Sequence, residues 1–186
     1  LSKLATDPSN ATNLASGTVP TARLGSGTAS SSTFLRGDQT YAAAGGDNTP
    51  SFRVDKDTNQ TIANTTYTKV TTYTEIWDSD SAFASDKFTV PSGGAGKYYI
   101  HWFFSVPSVP IEKRIIAKLY VNGVGDNKTY TQQVPAKGGL TAYAAGSILI
   151  SLADADYLEM YVYQDTGGSV LLQDTNHWEG FRLIGV

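Results

Sequence analysis

The stretch KYYIHWFFSV, residues 97–106, constrains this chain more than any other. In an extended strand successive side chains point to opposite faces. One face then carries Tyr98, Ile100, Trp102, Phe104 and Val106. The other carries Tyr99, His101, Phe103 and Ser105. Both faces are largely apolar, whereas a strand with one side in water shows polar residues there. The segment therefore needs two coverings: the core of its own domain, and something else against the opposite face.

The rest of the C-terminal part fits around such a strand. Period-2 alternation recurs in FRVDK (52–56), KFTV (87–90), RIIAKLYVNG (114–123), KTYTQQV (128–134), SILISL (147–152), YLEMYVYQ (157–164) and HWEGFRLIGV (177–186), and YTKVTTYTEIW (67–77), rich in Thr and aromatic residues, also reads as a strand. Asn122-Gly123 is a strong hairpin signal, and Ala153-Asp154-Ala155-Asp156 reads as a tight connection. No stretch has helical periodicity. The expected class is all-β, with about eight to ten antiparallel strands over residues 50–186.

Residues 1–49 obey different physics. They are rich in Ser, Thr, Ala, Gly and Asn, and their sizeable apolar residues are too few for a core. Such a segment is either a disordered linker or an extended segment ordered only by winding with copies of itself, and the second is the expectation here. The formal net charge of −3 argues against nucleic-acid binding through phosphate neutralisation. No Lys/Arg run marks a membrane surface, and no apolar run is long enough to span one. The absence of cysteine excludes disulfides and thiolate metal sites. Leu1 in place of Met reads as the start of a fragment or processed product.

Five motifs in order resemble the C1q/TNF-like jelly roll. They are Phe88-Thr89-Val90-Pro91, Gly96-Lys97-Tyr98-Tyr99-Ile100, the hairpin Leu119-Tyr120-Val121-Asn122-Gly123, the strand Gly146 to Leu152 with its acidic turn, and Trp178-Glu179-Gly180-Phe181-Arg182-Leu183. Trp178 and Glu179 depart from the usual Phe and Ser. The resemblance implies a homotrimer, which would supply the second covering of strand 97–106. Tyr99, His101, Phe103 and Phe181 are the candidate interface residues.

NLASGTVPTARLGSGTASSSTFLRGDQTY, residues 13–41, is similar to the connector of bacteriophage tail-fibre and head-fibre proteins. It contains Arg36-Gly37-Asp38, the integrin-binding tripeptide. In that connector L-R-G-D-x-T belongs to the recurring pattern, and bacterial hosts have no integrins. The local reading is a turn, with Gly37 supplying an unusual φ, Asp38 capping the bend, and Phe34, Leu35 and Tyr41 as anchors.

The resemblances together imply a non-enzymatic virion fibre, in a phage head or tail, whose C-terminal head binds the bacterial surface, a glycan or a protein. Its N-terminal segment would join other capsid or tail proteins. The alternatives are a purely structural capsid decoration protein and, more remotely, a C1q-like adhesion protein using the tripeptide. The jelly-roll resemblance implies that both termini lie at the base of the head, and strand alternation from there puts loops 107–113, 135–145 and 165–176 at the end far from the chain's entry. Tyr143, Gly167, Gly168 and the pair Leu171-Leu172 are the candidate host-binding residues there.

Other chemistry is sparse. His101 and His177 lack metal-site spacing and read as structural. Nucleophile, zinc-protease and phosphate-loop motifs do not occur, and no carboxylate pair points to glycoside hydrolysis. No cofactor is expected. WDSDSAFASD (77–86) offers Asp78, Asp80 and Asp86 as possible Ca²⁺ ligands, but it lacks the spacing and bidentate Glu of an EF-hand and reads as a solvated acidic loop.

Overall fold

A computed structural model describes residues 24–43 and 48–183. The chain divides into two compact units, Leu1–Gly46 and Asp47–Val186. Much of the expected extended segment, residues 1–23 and 44–47, lies outside the described residues.

In the first unit, β1 (Thr33–Leu35) and β2 (Tyr41–Ala43) form an antiparallel hairpin. Ser26 adds a parallel bridge to Thr40. The turn holds Arg36-Gly37-Asp38. The Asp38 carboxylate accepts from the Thr40 amide (3.1 Å) and hydroxyl (2.6 Å), as expected of a cap. The left-handed residue, however, is Gln39 (φ 62°), and Gly37 is not among the positive-φ residues. Capping from Asp38 across to Thr40 bends the chain at the residue between them.

The second unit is built from two antiparallel sheets. The five-stranded sheet has the order β12 (Leu140–Leu152), β9 (Gly96–Val109), β15 (His177–Arg182), β3 (Ser51–Lys56) and β6 (Tyr73–Asp78). The second sheet runs β11 (Val124–Gln133), β10 (Ile115–Val121), β13 (Tyr157–Gln164), β8 (Lys87–Thr89) and β7 (Phe83–Ala84), with β5 (Thr68–Lys69) also pairing β13. A small pair, β4 (Gln60–Ile62) with β14 (Val170–Leu172), completes the unit.

Strands exceed the expected number because several are only two or three residues long, too short to carry a period. The segment 67–77, expected as one strand, is two. β5 joins one sheet and β6 the other. Between them Val70 is fully buried and Thr72 sits at φ 61°, which breaks the extended run.

The core lies between the sheets. Tyr98, Ile100, Trp102, Phe104 and Val106 of β9 are buried against Leu119, Leu158, Met160 and Val162 of the second sheet. Phe52 stacks on Phe88 at 4.5 Å and meets Trp178 edge-on at 4.7 Å. Burial pushes the Tyr98 phenol up to about 12, so its hydroxyl stays protonated and donates to the Gly94 carbonyl at 2.6 Å. Gly180 permits this packing: a Cβ there would stand 2.5 Å from Ile100 Cδ1 and 3.0 Å from the Phe52 ring.

Register fixes the two ends of the sandwich. At one end, Val109 pairs with Leu140 and Ile115 with both Gln133 and Gln164, so the loops after β9, β11 and β13 gather there. The opposite end holds Ser51 opposite Phe181, together with the Asn122-Gly123 hairpin. Asn122 is tied there to Asp156 and to the Tyr157 amide.

Candidate functional site

The outer face of the five-stranded sheet is the face the sequence left unexplained. Strand alternation puts Tyr99, His101 and Phe103 of β9 on it, opposite the core-facing Tyr98, Ile100 and Trp102. Across β15 the same face carries His177, Glu179 and Phe181, and register sets Phe181 opposite Tyr99, Glu179 opposite His101 and His177 opposite Phe103. All four candidate interface residues thus share one surface. Phe181 packs on Tyr99 at 5.5 Å, and Phe103 contacts Tyr143 at 5.6 Å.

The edges of this face are more exposed than its centre. Leu149 on β12 is 65% accessible, and Trp77 on β6 and Tyr143 on β12 each 48%. A hollow of about 490 Å³ opens between Arg53, Trp77, Tyr99 and Phe181. In the middle lies a small charged cluster. Arg53 donates to Asp55 at 3.1 Å and to Glu179 at 3.3 Å. His101 Nδ1 stands 3.6 Å from the other Glu179 oxygen and is buried without a hydrogen-bond partner. Opposite charges meet within the cluster, so the face carries its ions already paired. Burial, chiefly, and the nearby Arg53 guanidinium hold His177 below the usual imidazole value.

The expected host-binding residues are dispersed. Gly167 (φ 97°) and Gly168 lie in the loop after β13, where the Gly168 carbonyl accepts from Gln164. Tyr143, expected in a loop, belongs to β12 and points to the outer face of the five-stranded sheet. The pair Leu171-Leu172 is not a loop either. It belongs to β14, where Leu171 is exposed and Leu172 is fully buried in the core. Period 2 operates even in a three-residue strand, so one of two adjacent leucines turns inward.

In the first unit, Phe34 and Leu35 remain exposed and Tyr41 is partly buried. The Leu35 side chain lies against Gly25, where an added Cβ would stand 2.6 Å from its Cδ1. No group of three or more acidic, His or Cys side chains able to hold a metal ion occurs among the described residues. Asp78 instead closes its own loop, accepting from the Phe83 amide at 2.7 Å.

Sequence reasoning passed over the outer face of the second sheet. Tyr157, Glu159, Tyr161 and Tyr163 alternate along β13, facing away from Leu158, Met160 and Val162. Tyr161 stacks on Tyr120 at 3.8 Å, and Tyr67 lies 5.1 Å from Tyr163. The alternation in YLEMYVYQ was the available signal.

Solved structures share this architecture. The globular domain of zebrafish complement 1qA matches with a TM-score of 0.53 and 17% identity, over 72% of this chain and 97% of that one. The Eiger TNF from S. frugiperda matches with a TM-score of 0.53 and 10% identity, over 72% and 91%. Murine APRIL at pH 8.5 gives a TM-score of 0.52 and 9% identity, over 72% and 98%. The fold is a C1q/TNF-like jelly roll. At these identities the likeness concerns fold alone. No family model matches the sequence, and no curated protein matches it.

Proposed function

We propose that the chain is a non-enzymatic fibre protein of a bacteriophage virion, trimeric through the outer face of its five-stranded sheet, whose head meets the bacterial surface. The observation that carries the reading is that face. It exposes Leu149, Tyr143 and Trp77 around half-buried Tyr99, Phe103 and Phe181. A monomer would leave this apolar surface in water. Symmetric closure covers it in every copy at once, and the three-fold symmetry comes from the C1q/TNF resemblance. The phage assignment rests on the connector pattern of residues 13–41, in which the Arg36-Gly37-Asp38 turn is part of the scaffold.

In this reading the N-terminal segment joins the head to capsid or tail proteins. The loops gathered after β9, β11 and β13, Gly167 and Gly168 among them, lie at the end of the head away from its entry at Ser51, and present themselves to a surface glycan or protein. The test has two arms. Purified residues 46–186 should sediment as a stable trimer at micromolar concentration and compete with phage adsorption to host cells. A trimer that neither binds cells nor competes would leave a structural capsid protein instead, and the protein's position in an electron-microscopy map of the virion would then place it. A stable monomer would overturn the assembly.

A further inference from the structure

The outer face of the second sheet carries a groove of about 350 Å³, well separated in the fold from the five-stranded face. It is lined by Tyr67, Tyr130 and Tyr163, with Arg114, Lys118 and Asn127. The volume lies in the range of small-molecule sites, which combine aromatic walls with a few converging polar groups. The cations sit over rings: Arg114 lies 5.6 Å from the Tyr163 centroid and Lys118 lies 5.3 Å from that of Tyr67. Tyr130, at 51% exposure, forms the open wall.

The two cations are not equivalent. Arg114 is committed to Asp165, at 2.8 Å from its Nε. Lys118 Nζ reaches only the neutral Asn127 carbonyl oxygen, at 2.6 Å, and makes no ion pair among the described residues. Lys118 is therefore the positive charge left for a ligand. Around it, burial raises the Tyr67 and Tyr120 phenols above their usual value. Their hydroxyls stay protonated at neutral pH and can donate.

We propose that this groove binds an acidic saccharide, with a sugar ring laid against Tyr67, Tyr130 or Tyr163 and its carboxylate on Lys118. A sugar ring presents both an apolar C–H face and a rim of hydroxyls. Tyrosine offers the matching pair, a flat apolar body with a polar tip. Asn127 supplies a further donor and acceptor for ring hydroxyls. A purely apolar ligand would waste Lys118 and Asn127, and a compact inorganic anion would leave the tyrosine walls unused. The site belongs to each protomer alone, so it stands whether or not the head forms a trimer or adsorbs to cells.

The experiment is titration of purified residues 46–186 with a galacturonate trisaccharide, set against the matched neutral galactose trisaccharide, followed by ligand-observed NMR. The expected result is saturable binding of the uronate at about millimolar Kd or tighter, with the neutral sugar at least about tenfold weaker. Lys118→Gln keeps the stem and removes the charge, and should abolish the preference for the acid. Tyr130→Ala, at an exposed position, should weaken both sugars together while leaving the melting temperature unchanged. Absence of saturation, equal affinity for acidic and neutral sugars, or binding indifferent to both variants would overturn the proposal.

Discussion

Phe103 and His177 stack with their centroids 5.5 Å apart and their ring planes 14° from parallel, on the outer face of the five-stranded sheet. The imidazole is thereby held against an apolar ring, with the His101 ring 5.8 Å away. Arg53, Glu179, His101 and Asp55 are the titratable groups that act on it.

This arrangement has a pH consequence. Burial, the larger cause, and the neighbouring Arg53 depress the folded-state value of His177 below its usual 6.5. As pH falls, the unfolded chain takes up this proton before the folded one does. The stabilising contribution is whole above about 6.5 and is lost as pH falls through the depressed value. Thermal melts between about pH 7 and 5 should show a shallower loss of stability in His177→Asn than in the parent. Equal slopes would mean the folded site tolerates the charged ring.

Leu149 tests the assembly more cleanly than Phe103 does. Its side chain is already 65% exposed, so an aspartate there costs the protomer little. Burial of such a side chain contributes about 1.5–3 kcal/mol in each of three copies. Leu149→Asp and Phe103→Asp should both yield monomers in sedimentation, whereas Lys137→Ala, in the loop after β11, should leave the trimer intact. A trimer that persists in Leu149→Asp would show that β12 lies outside the interface.

Gly180 should be intolerant. A methyl group there meets Ile100, the Phe52 ring and the Tyr99 carbonyl at 3.1 Å or less. Overpacking of this kind costs about 1–3 kcal/mol. Gly180→Ala should lower the denaturant midpoint by a corresponding amount, and an unchanged midpoint would show that β15 can shift away from β9.

Asn176 is fully buried, and its side chain organises the turn into β15. Its carbonyl oxygen accepts from the Ser105 amide at 2.7 Å and from the Ser105 hydroxyl at 3.0 Å, while its amide nitrogen donates to the Gln173 carbonyl. Asn176→Ala strands a buried backbone N–H, a loss of about 1–3 kcal/mol. Ser105→Ala removes only a hydroxyl and should cost less. Chemical denaturation of the two variants gives the ranking, and the reverse order would mean that water replaces the Asn176 side chain.

The long strands were legible in the sequence because their alternation runs for many residues. β9 and β15 each divide cleanly into a core row and an outer row, so Tyr98 and Tyr99 could be sent to opposite faces from spacing alone. The reading failed where strand-favouring composition continues through a break. YTKVTTYTEIW is rich in Thr and aromatic residues throughout, yet Thr72 turns the chain from one sheet to the other. It failed again at Leu172, where a three-residue strand inside a nominal loop buries one leucine of a pair. In the hairpin of the first unit, glycine was expected to take the left-handed position, but the Asp38–Thr40 hydrogen bonds assign it to Gln39. The tyrosines of the second sheet were visible as residues but not as a surface. Tyr67, Tyr120 and Tyr163 meet only once three separate strands and loops are brought together.

The Arg182 amide donates to the Pro50 carbonyl at 3.1 Å, and the Leu183 amide to that of Lys97. The strands that open and close the jelly roll therefore begin and finish side by side. A unit whose two connections emerge through one narrow opening is a cassette. It can be spliced into a surface loop of an unrelated carrier without rerouting either chain. The loops at its opposite end can then diversify while the splice points stay fixed.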